Sequence, residues 1–491
     1  MTQDELAQKS RDELIDLVLA EHAQLEASQE LVAQLQADVE ALKLKLEKGK
    51  QPPTNSSNSS QPPSLDHKPS QPKDRRKRKH GPPQGHVKYG RKFVAQPNHI
   101  VNLKAEACKN CHADLHAVAG QLVDVNQITE LPDPKVEVIE VRQYVVKCPH
   151  CGQPQVEPAP AGLEMDRTFG SRLEATVVYY RQEQHISYLR TEATLRELHG
   201  MVISQGGIDQ IMQRAGQKAI QKAETIQAEV CQGKVINSDE TGCRVDSGNW
   251  WQWVFCTLHA VLHVIRDNRS EDVIREVMAG HTAEVWGSDC LTSQLKAPTL
   301  ARQLCMSHQI RNLQAVIDRS PPAFWAQAMQ KLFRYAIHIH NQRDRLSPET
   351  FQAKVKCIEH HCDWLLQQSL TDPDASRLQR RYQKHRPSLF VFLYRRDVSP
   401  TNNVSERALR PSVIHRKVIG CFRSKWGARA YAALATVIDT AELNGIHAFA
   451  AIQSLFGRPS LPLPLGGELI PQHTRTYVLI IGSTCLASVE K

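Results

Sequence analysis

The segment Thr401–Arg410, TNNVSERALR, places a single acid, Glu406, in basic company. Glu406 is the only acidic residue between Asn402 and Ala430, a stretch that also holds seven Lys or Arg residues. Two further acids close apolar runs upstream, Asp239 in VINSDETG and Asp289 in AEVWGSDC. A lone carboxylate among bases fits a place where acids hold a hard cation and bases hold phosphates. Mg²⁺ takes oxygen from one or two carboxylates and completes its shell with water and substrate phosphates. Two such ions about 4 Å apart serve an in-line displacement at phosphorus. Each acid also has an ordinary explanation. Asp239 with Glu240 suits a strand-end turn, Asp289 a helix cap, and Glu406 a surface pair with Arg410 at i+4. Their joint placement in one fold is what argues for a site.

That fold is read from the run after Lys234. VINSDET is a short strand, WWQWVFCTL an aromatic one and HAVLHVIRD a third, with turn residues between them. Ser270 caps a helix, SEDVIREVMAG, whose first turn carries Glu271 and Asp272. Ala283 to Asp289 returns as a strand. Three strands, a helix and a strand predict an RNase H-like α/β core over residues 233–457. In such a core the first and fourth strands are neighbours, so Asp239 and Asp289 share a metal, and Glu406 joins them from a later helix. The 117-residue gap between Asp289 and Glu406 predicts a helical insertion at about 320–395. Ala428 to Asn444 is an apolar helix that completes the core. Trp250, Trp251 and Trp253 are read as strand residues of the core. Cys305 and His308, in CMSH, have metal-ligand spacing but no second pair, and are assigned a structural role. Arg407, Arg410, Arg416, Lys417, Arg423 and Lys425 are expected to hold DNA phosphates beside Glu406.

Upstream, residues 10–48 predict a coiled coil. Val18, Leu25, Val32, Val39 and Leu46 recur every seven residues, and the second seam is interrupted at Glu21 and Ser28. A homo-oligomer follows. Residues 49–92 are rich in Pro, Ser, Asn and Gln and are expected to be a disordered basic linker. Its run Arg75, Arg76, Lys77, Arg78 and Lys79 reads as a phosphate-tracking arm whose affinity falls with salt. CKNC and CPHCG then place Cys108, Cys111, Cys148 and Cys151 as four thiolates for a tetrahedral structural Zn²⁺, a zinc ribbon over 100–158. The alternating KVEVIEVRQYVVK between them predicts a β-ribbon. Residues 165–230 read as helical, with two short helices joined near Gly200, Ser204 capping the second and Gln205 to Arg214 in the recognition position of a helix-turn-helix-like unit.

The whole chain agrees with a multidomain α+β protein. Its 491 residues are too many for one ordinary domain. The net charge of +9 is gathered into patches, which favours a polyanionic partner. No apolar run approaches the roughly 20 residues of a membrane span, and the N-terminus lacks a signal-peptide layout, so a cytoplasmic, membrane-free protein is expected. Thirteen cysteines in such a chain argue for metal and core roles over disulfides.

The coiled coil, the PPTNSSNSSQPPS linker, CKNC…CPHCG, the DET at Asp239, CMSHQIRNL, TNNVSERALRP and the closing AELNG together resemble the transposases of the bacterial IS66 insertion-sequence family. The resemblance spans roughly residues 10–457. It implies a DDE-type enzyme that cuts element ends and joins them to target double-stranded DNA with Mg²⁺ (or Mn²⁺), with the triad on Asp239, Asp289 and Glu406. Helper proteins from the same element are possible partners. The sequence departs from the family after the second aspartate, where CLTSQL replaces a Gly- and Tyr-rich turn; Asp267 and Asp246 are the rivals for that position. Residues 458–491 do not match the family's ending and have no assigned role. The competing functions are a non-catalytic dimeric DNA-binding repressor, a decayed inactive copy, and a related nuclease that cuts without joining.

Overall fold

The structure is a computed structural model that describes Asn55 and residues 93–457 except 132, 133, 135, 161 and 321. The expected coiled coil, the basic linker with Arg75, Arg76, Lys77, Arg78 and Lys79, and the tail lie outside the described residues, Asn55 apart. Among the described residues no helix is long and apolar enough to cross a membrane.

A small antiparallel ribbon comes first, β1 (Val145–Lys147) on β2 (Pro154–Val156). It brackets the second cysteine pair. The ribbon expected from KVEVIEVRQYVVK therefore forms only at its last three residues, and its partner lies beyond the cysteines, where the chain folds back on itself. The preceding residues 136–144 pair with no strand.

Three helices follow, α1 (Ser171–Val178), which widens into a π-type turn through Glu183, α2 (Tyr188–His199) and α3 (Gln205–Cys231). Gly200 ends α2 in the left-handed region (φ 63), and the Ser204 hydroxyl caps α3 by accepting from Gly207 N at 3.1 Å. The turn and cap match the expected helix-turn-helix, but the second helix is no short recognition helix. It runs for 27 residues, and Ile208, Ile211, Ala215 and Ala219 are buried in the main core. Arg214 is ion-paired with the buried Glu174.

The main sheet has five strands, β3 (Val235–Val245), β4 (Gly248–Cys256), β5 (Val261–Arg266), β6 (Ala283–Ser288) and β7 (Thr299–Leu304), in the order β5-β4-β3-β6-β7. β3, β4 and β5 are antiparallel, whereas β6 and β7 run parallel to β3. The first and fourth strands of the run are thus side by side, as expected. α4 (Glu271–Met278) makes the crossover, with Ser270 capping it. Two points differ from the sequence reading. β3 does not end at Asp239 but continues to a tight turn at Asp246 (φ 47) and Ser247 (φ 65), where two left-handed residues match the strand twist. β7 went unread because TLARQL is short and carries Arg302 and Gln303. The buried Gln303 has its polar atoms met by Leu304 O, Leu389 O and Phe392 N.

Past β7 come α5 (Met306–Arg319), α6 (Phe324–Asn341), α7 (Pro348–Leu366), α8 (Pro373–Lys384) and α9 (Val391–Tyr394). They share a second core around Phe333, Tyr382, Phe390 and Phe392, joined to the sheet by Val285 and Leu304. Ser347 and Asp372 cap α7 and α8, each followed by Pro at the first helical position, where a missing N–H costs nothing.

The chain then returns through α10 (Asn403–Ile419), α11 (Lys425–Leu443) and α12 (Ala448–Ser454). α11 lies along β5 and against α3, where Gly216 permits the approach; a Cβ there would stand 2.7 Å from the Ala430 Cβ. β5 is an edge strand, and its outward backbone groups need partners. Thr436, Thr440 and Asn444, spaced by four on one helix face, supply them. Thr436 Oγ1 accepts from His263 N at 2.9 Å, Thr440 Oγ1 from Val261 N at 3.0 Å, and Asn444 Nδ2 donates to His259 O at 2.7 Å.

Thr436→Val keeps the shape of the side chain but leaves the buried His263 N–H unpaired. A loss of about 1–3 kcal/mol is expected. Thermal denaturation should show a midpoint lower by several degrees, and an unchanged midpoint would show that the edge is satisfied in another way.

Candidate active site

Asp239 and Asp289 meet because of register. Val235, Ile236 and Asn237 of β3 pair in parallel with Val285, Trp286 and Gly287 of β6. Two residues further along each strand, Asp239 and Asp289 stand level where the two strands part. The gap is filled by the start of α10. Asn402 donates from Nδ2 to Ser238 O at 2.8 Å, and its backbone N–H donates to Cys305 Sγ at 3.2 Å. Met306 N donates to Pro400 O at 2.9 Å. These bonds pin the first turn of α10, which carries Glu406, between the end of β3 and the start of α5.

Alternation along β3 separates the two adjacent acids. Glu240, only 9% exposed, points to the face of Gln294, whose Nε2 donates to it at 2.7 Å, and pairs with Arg269. Burial pushes the Glu240 carboxyl up, while Gln294 and Arg269 pull it down. Asp239 faces the other way and has no basic partner; one of its oxygens accepts from Glu240 N at 2.9 Å. Burial, followed by the charges of Glu240, Asp289 and Glu406, pushes Asp239 up to about 8. One oxygen of Asp289 accepts from Leu291 N at 2.8 Å. Glu406 Oε1 is buried without a hydrogen bond; it lies 3.7 Å from Arg311 Nη2 and 3.9 Å from His308 Nδ1. The surface pair of Glu406 with Arg410 is not what forms.

The three expected acids therefore share one electrostatic neighbourhood. The rivals do not. Asp246 sits in the hairpin turn at the far end of β3, and Asp267 is exposed after β5, two strands away. Cys305 and His308, assigned a structural role, lie next to Glu406: ligand atoms of the three residues are all within 4.8 Å of one another. The spacing of CMSH is the sequence signal for that proximity, and Glu406 comes about a hundred residues later. Burial and the Arg311 charge push His308 below the ordinary imidazole value, against Asp289 and Glu406.

Of the basic residues expected nearby, Arg407, Arg410, Lys417, Arg423 and Lys425 are exposed. Arg416 is half-buried and donates to Thr241 Oγ1 at 3.3 Å, beside the site on β3. Lys425 lies over the Trp250 ring at 5.7 Å. Trp253 is fully buried, as expected of a core residue, and Trp250 and Trp251 are partly so.

In the zinc-ribbon segment, each cysteine pair forms its own turn. His112 N donates to Cys108 O at 2.9 Å, and Gly152 N to Cys148 O at 2.8 Å. Backbone hydrogen bonds from Cys111 and Asn110 hold the Cys108 thiol below its ordinary value, and those from Cys151 and His150 do the same for Cys148. Such turns favour the thiolate, the form that binds zinc. The structure does not gather three of the four thiols Cys108, Cys111, Cys148 and Cys151 within 4.8 Å, so the complete ligand set is not assembled.

Because Asp239 holds its proton more tightly folded than unfolded (ordinary value about 3.9), its contribution to stability is whole below about pH 4 and is lost as pH rises toward 8. Without added Mg²⁺, Asp239→Asn should melt several degrees above wild type at about pH 8 and together with it at about pH 4. Equal melting at both pH values would show that the carboxyl is not so constrained.

Comparison with known families places these features. The description "Transposase IS66 family" matches residues 167–430, which run from α1 through the sheet and all three acids into the start of α11. "Zinc-finger binding domain of transposase IS66" matches residues 105–152, making that segment a zinc-finger domain that takes a structural zinc. No curated protein matches the chain. With more than half of its length matched by the first description, the chain belongs to the IS66 family of transposases.

Proposed function

We propose that this chain is a DNA transposase that cleaves strands at the ends of an insertion sequence and transfers them to target DNA, using divalent cations held by Asp239, Asp289 and Glu406. The observation that carries this reading is an Asp239 carboxyl that has no basic partner among the described residues and feels the charges of Asp289 and Glu406. Like charges in a half-buried pocket are uphill on their own, and a cation reverses the balance. The donors are all oxygen from the triad, which suits Mg²⁺ or Mn²⁺. When bound, such ions raise the nucleophilicity of the attacking hydroxyl and stabilise the leaving oxygen. The order β5-β4-β3-β6-β7, with one acid on β3 and another just past the end of the neighbouring parallel strand β6, supports an RNase H-like core.

The chain's own residues would then bind and orient. Arg407 and Arg410, on the helix of Glu406, with Arg416 and Lys417 further along it, hold phosphates on the approach to the acids. Arg75, Arg76, Lys77, Arg78 and Lys79 add sequence-independent contacts. Cys108, Cys111, Cys148 and Cys151 hold Zn²⁺ once the two turns close on one ion, and residues 10–48 join protomers as a coiled coil. The protein would act in the cytoplasm on nucleoid DNA, with helper proteins of the same element as further partners.

Purified protein with Mg²⁺ and a pre-cut DNA carrying the element's ends should yield joined products. Glu406→Gln should bind the ends but lose joining by more than about 100-fold. End binding without cleavage or joining by the wild type, with helper proteins supplied, would instead support a DNA-binding repressor. For the zinc finger, Cys148→Ser should drop the metal measured by mass spectrometry from one zinc per chain to none, with the melting of the sheet core unchanged. Full zinc retention would remove Cys148 from the ligand set.

A further inference from the structure

His308 lies in the first turn of α5, three residues after Cys305. Its Nδ1 is buried and has no hydrogen-bond partner, and Glu406 Oε1, 3.9 Å away, is in the same state. The separation is too long for a hydrogen bond, and an unpaired buried polar group is costly. Arg311 does not resolve the conflict, since its Nη2 stands 3.7 Å from that oxygen. A cation does fit. Nitrogen and carboxylate ligands each sit about 2.1 Å from a first-row ion, so two on one ion stand roughly 3–4 Å apart. His308 is held for that task. Cys305, which opens its helix, is 1% exposed and accepts from Asn402 N, the residue that also ties α10 to β3. Histidine and glutamate are thus fixed on the two helices that meet at this one point.

We propose that His308 is a nitrogen ligand to the cation that Glu406 binds, so that this corner of the site is a His–Glu pair and not a lone carboxylate. The inference rests on the reading of Glu406 as a metal ligand. Its consequence is selectivity. Imidazole suits transition ions better than Mg²⁺, which prefers oxygen throughout. The site should therefore favour Mn²⁺ over Mg²⁺ by more than a triad of carboxylates would, and lose that preference with His308.

The test uses the full chain, zinc-loaded, with one equivalent of Mn²⁺, read by electron spin-echo envelope modulation. Nitrogen modulation is expected in the wild type, which needs no variant and so no assumption about folding. In His308→Ala it should vanish, and Mn²⁺ affinity should fall by about 10-fold or more while Mg²⁺ affinity changes less. His308→Gln, closer in size, should behave alike. Mn²⁺ bound by the wild type without nitrogen modulation, or modulation that survives in both variants, overturns the proposal. Glu406→Gln separates the two readings. If it abolishes Mn²⁺ binding while the wild type shows no nitrogen, only the His308 inference fails. If it binds Mn²⁺ like the wild type, the Glu406 reading fails and takes the inference with it.

Discussion

Carboxylates held near one another repel, and in this chain the strand pairing sets where two of them stand. Asp239 lies mid-strand on β3, two residues past its last pairing with β6, and Asp289 follows the last residue of β6. The neighbouring Glu240 is dealt with differently. The pleat turns it to the opposite face, where Arg269 and Gln294 meet its charge. Two consecutive acids thus have opposite surroundings, one met by a guanidinium and an amide and one held among other acids. Burial and those like charges raise the proton affinity of Asp239.

The remaining architecture holds this unfavourable centre in place. One apolar cluster runs from α3 through the sheet to α11, and a second fills the helical insertion behind β6 and β7. Buried polar residues act as the stitches between them. Gln303 ties β7 to the insertion, Asn402 ties α10 to β3 and to Cys305, and Thr436 with Thr440 close the edge of β5. Hydrogen-bonded polar groups in low dielectric favour one arrangement over others, because each alternative would leave more of them unpaired. Where α5 and the start of α10 meet, several buried polar atoms lack a partner among the described residues: Glu406 Oε1, His308 Nδ1, Asn402 Oδ1, Ser405 Oγ and Gln309 Oε1.

The zinc-finger segment follows another logic. Val123 and Val138 are exposed, and among the described residues the sheet around its second cysteine pair is a ribbon of two three-residue strands. A segment with so little apolar burial draws its stability from elsewhere, and in a zinc finger metal binding is folding energy. The sheet region, by contrast, buries two large apolar clusters.

Several features were fixed by local chemistry and so were legible in the sequence. The Ser204 and Ser270 caps, the Gly200 turn and the strand–strand–strand–helix–strand order all follow from residue type and short spacing. Periodicity over a few residues reports which face is buried, and capping reports where helices begin. Other features depend on what a segment packs against. The length of α3 and its core role follow from its docking on α11, which lies about two hundred residues away in the chain. The polar strand β7 is a strand because Gln303 finds partners in the insertion. Cys305 and His308 look incomplete as a pair along the chain because Glu406, whose carboxylate lies within 4.8 Å of them, comes from another helix. Sequence spacing can register only ligands that are neighbours along the chain; bringing α5 and α10 together at the end of β3 is the work of the tertiary fold.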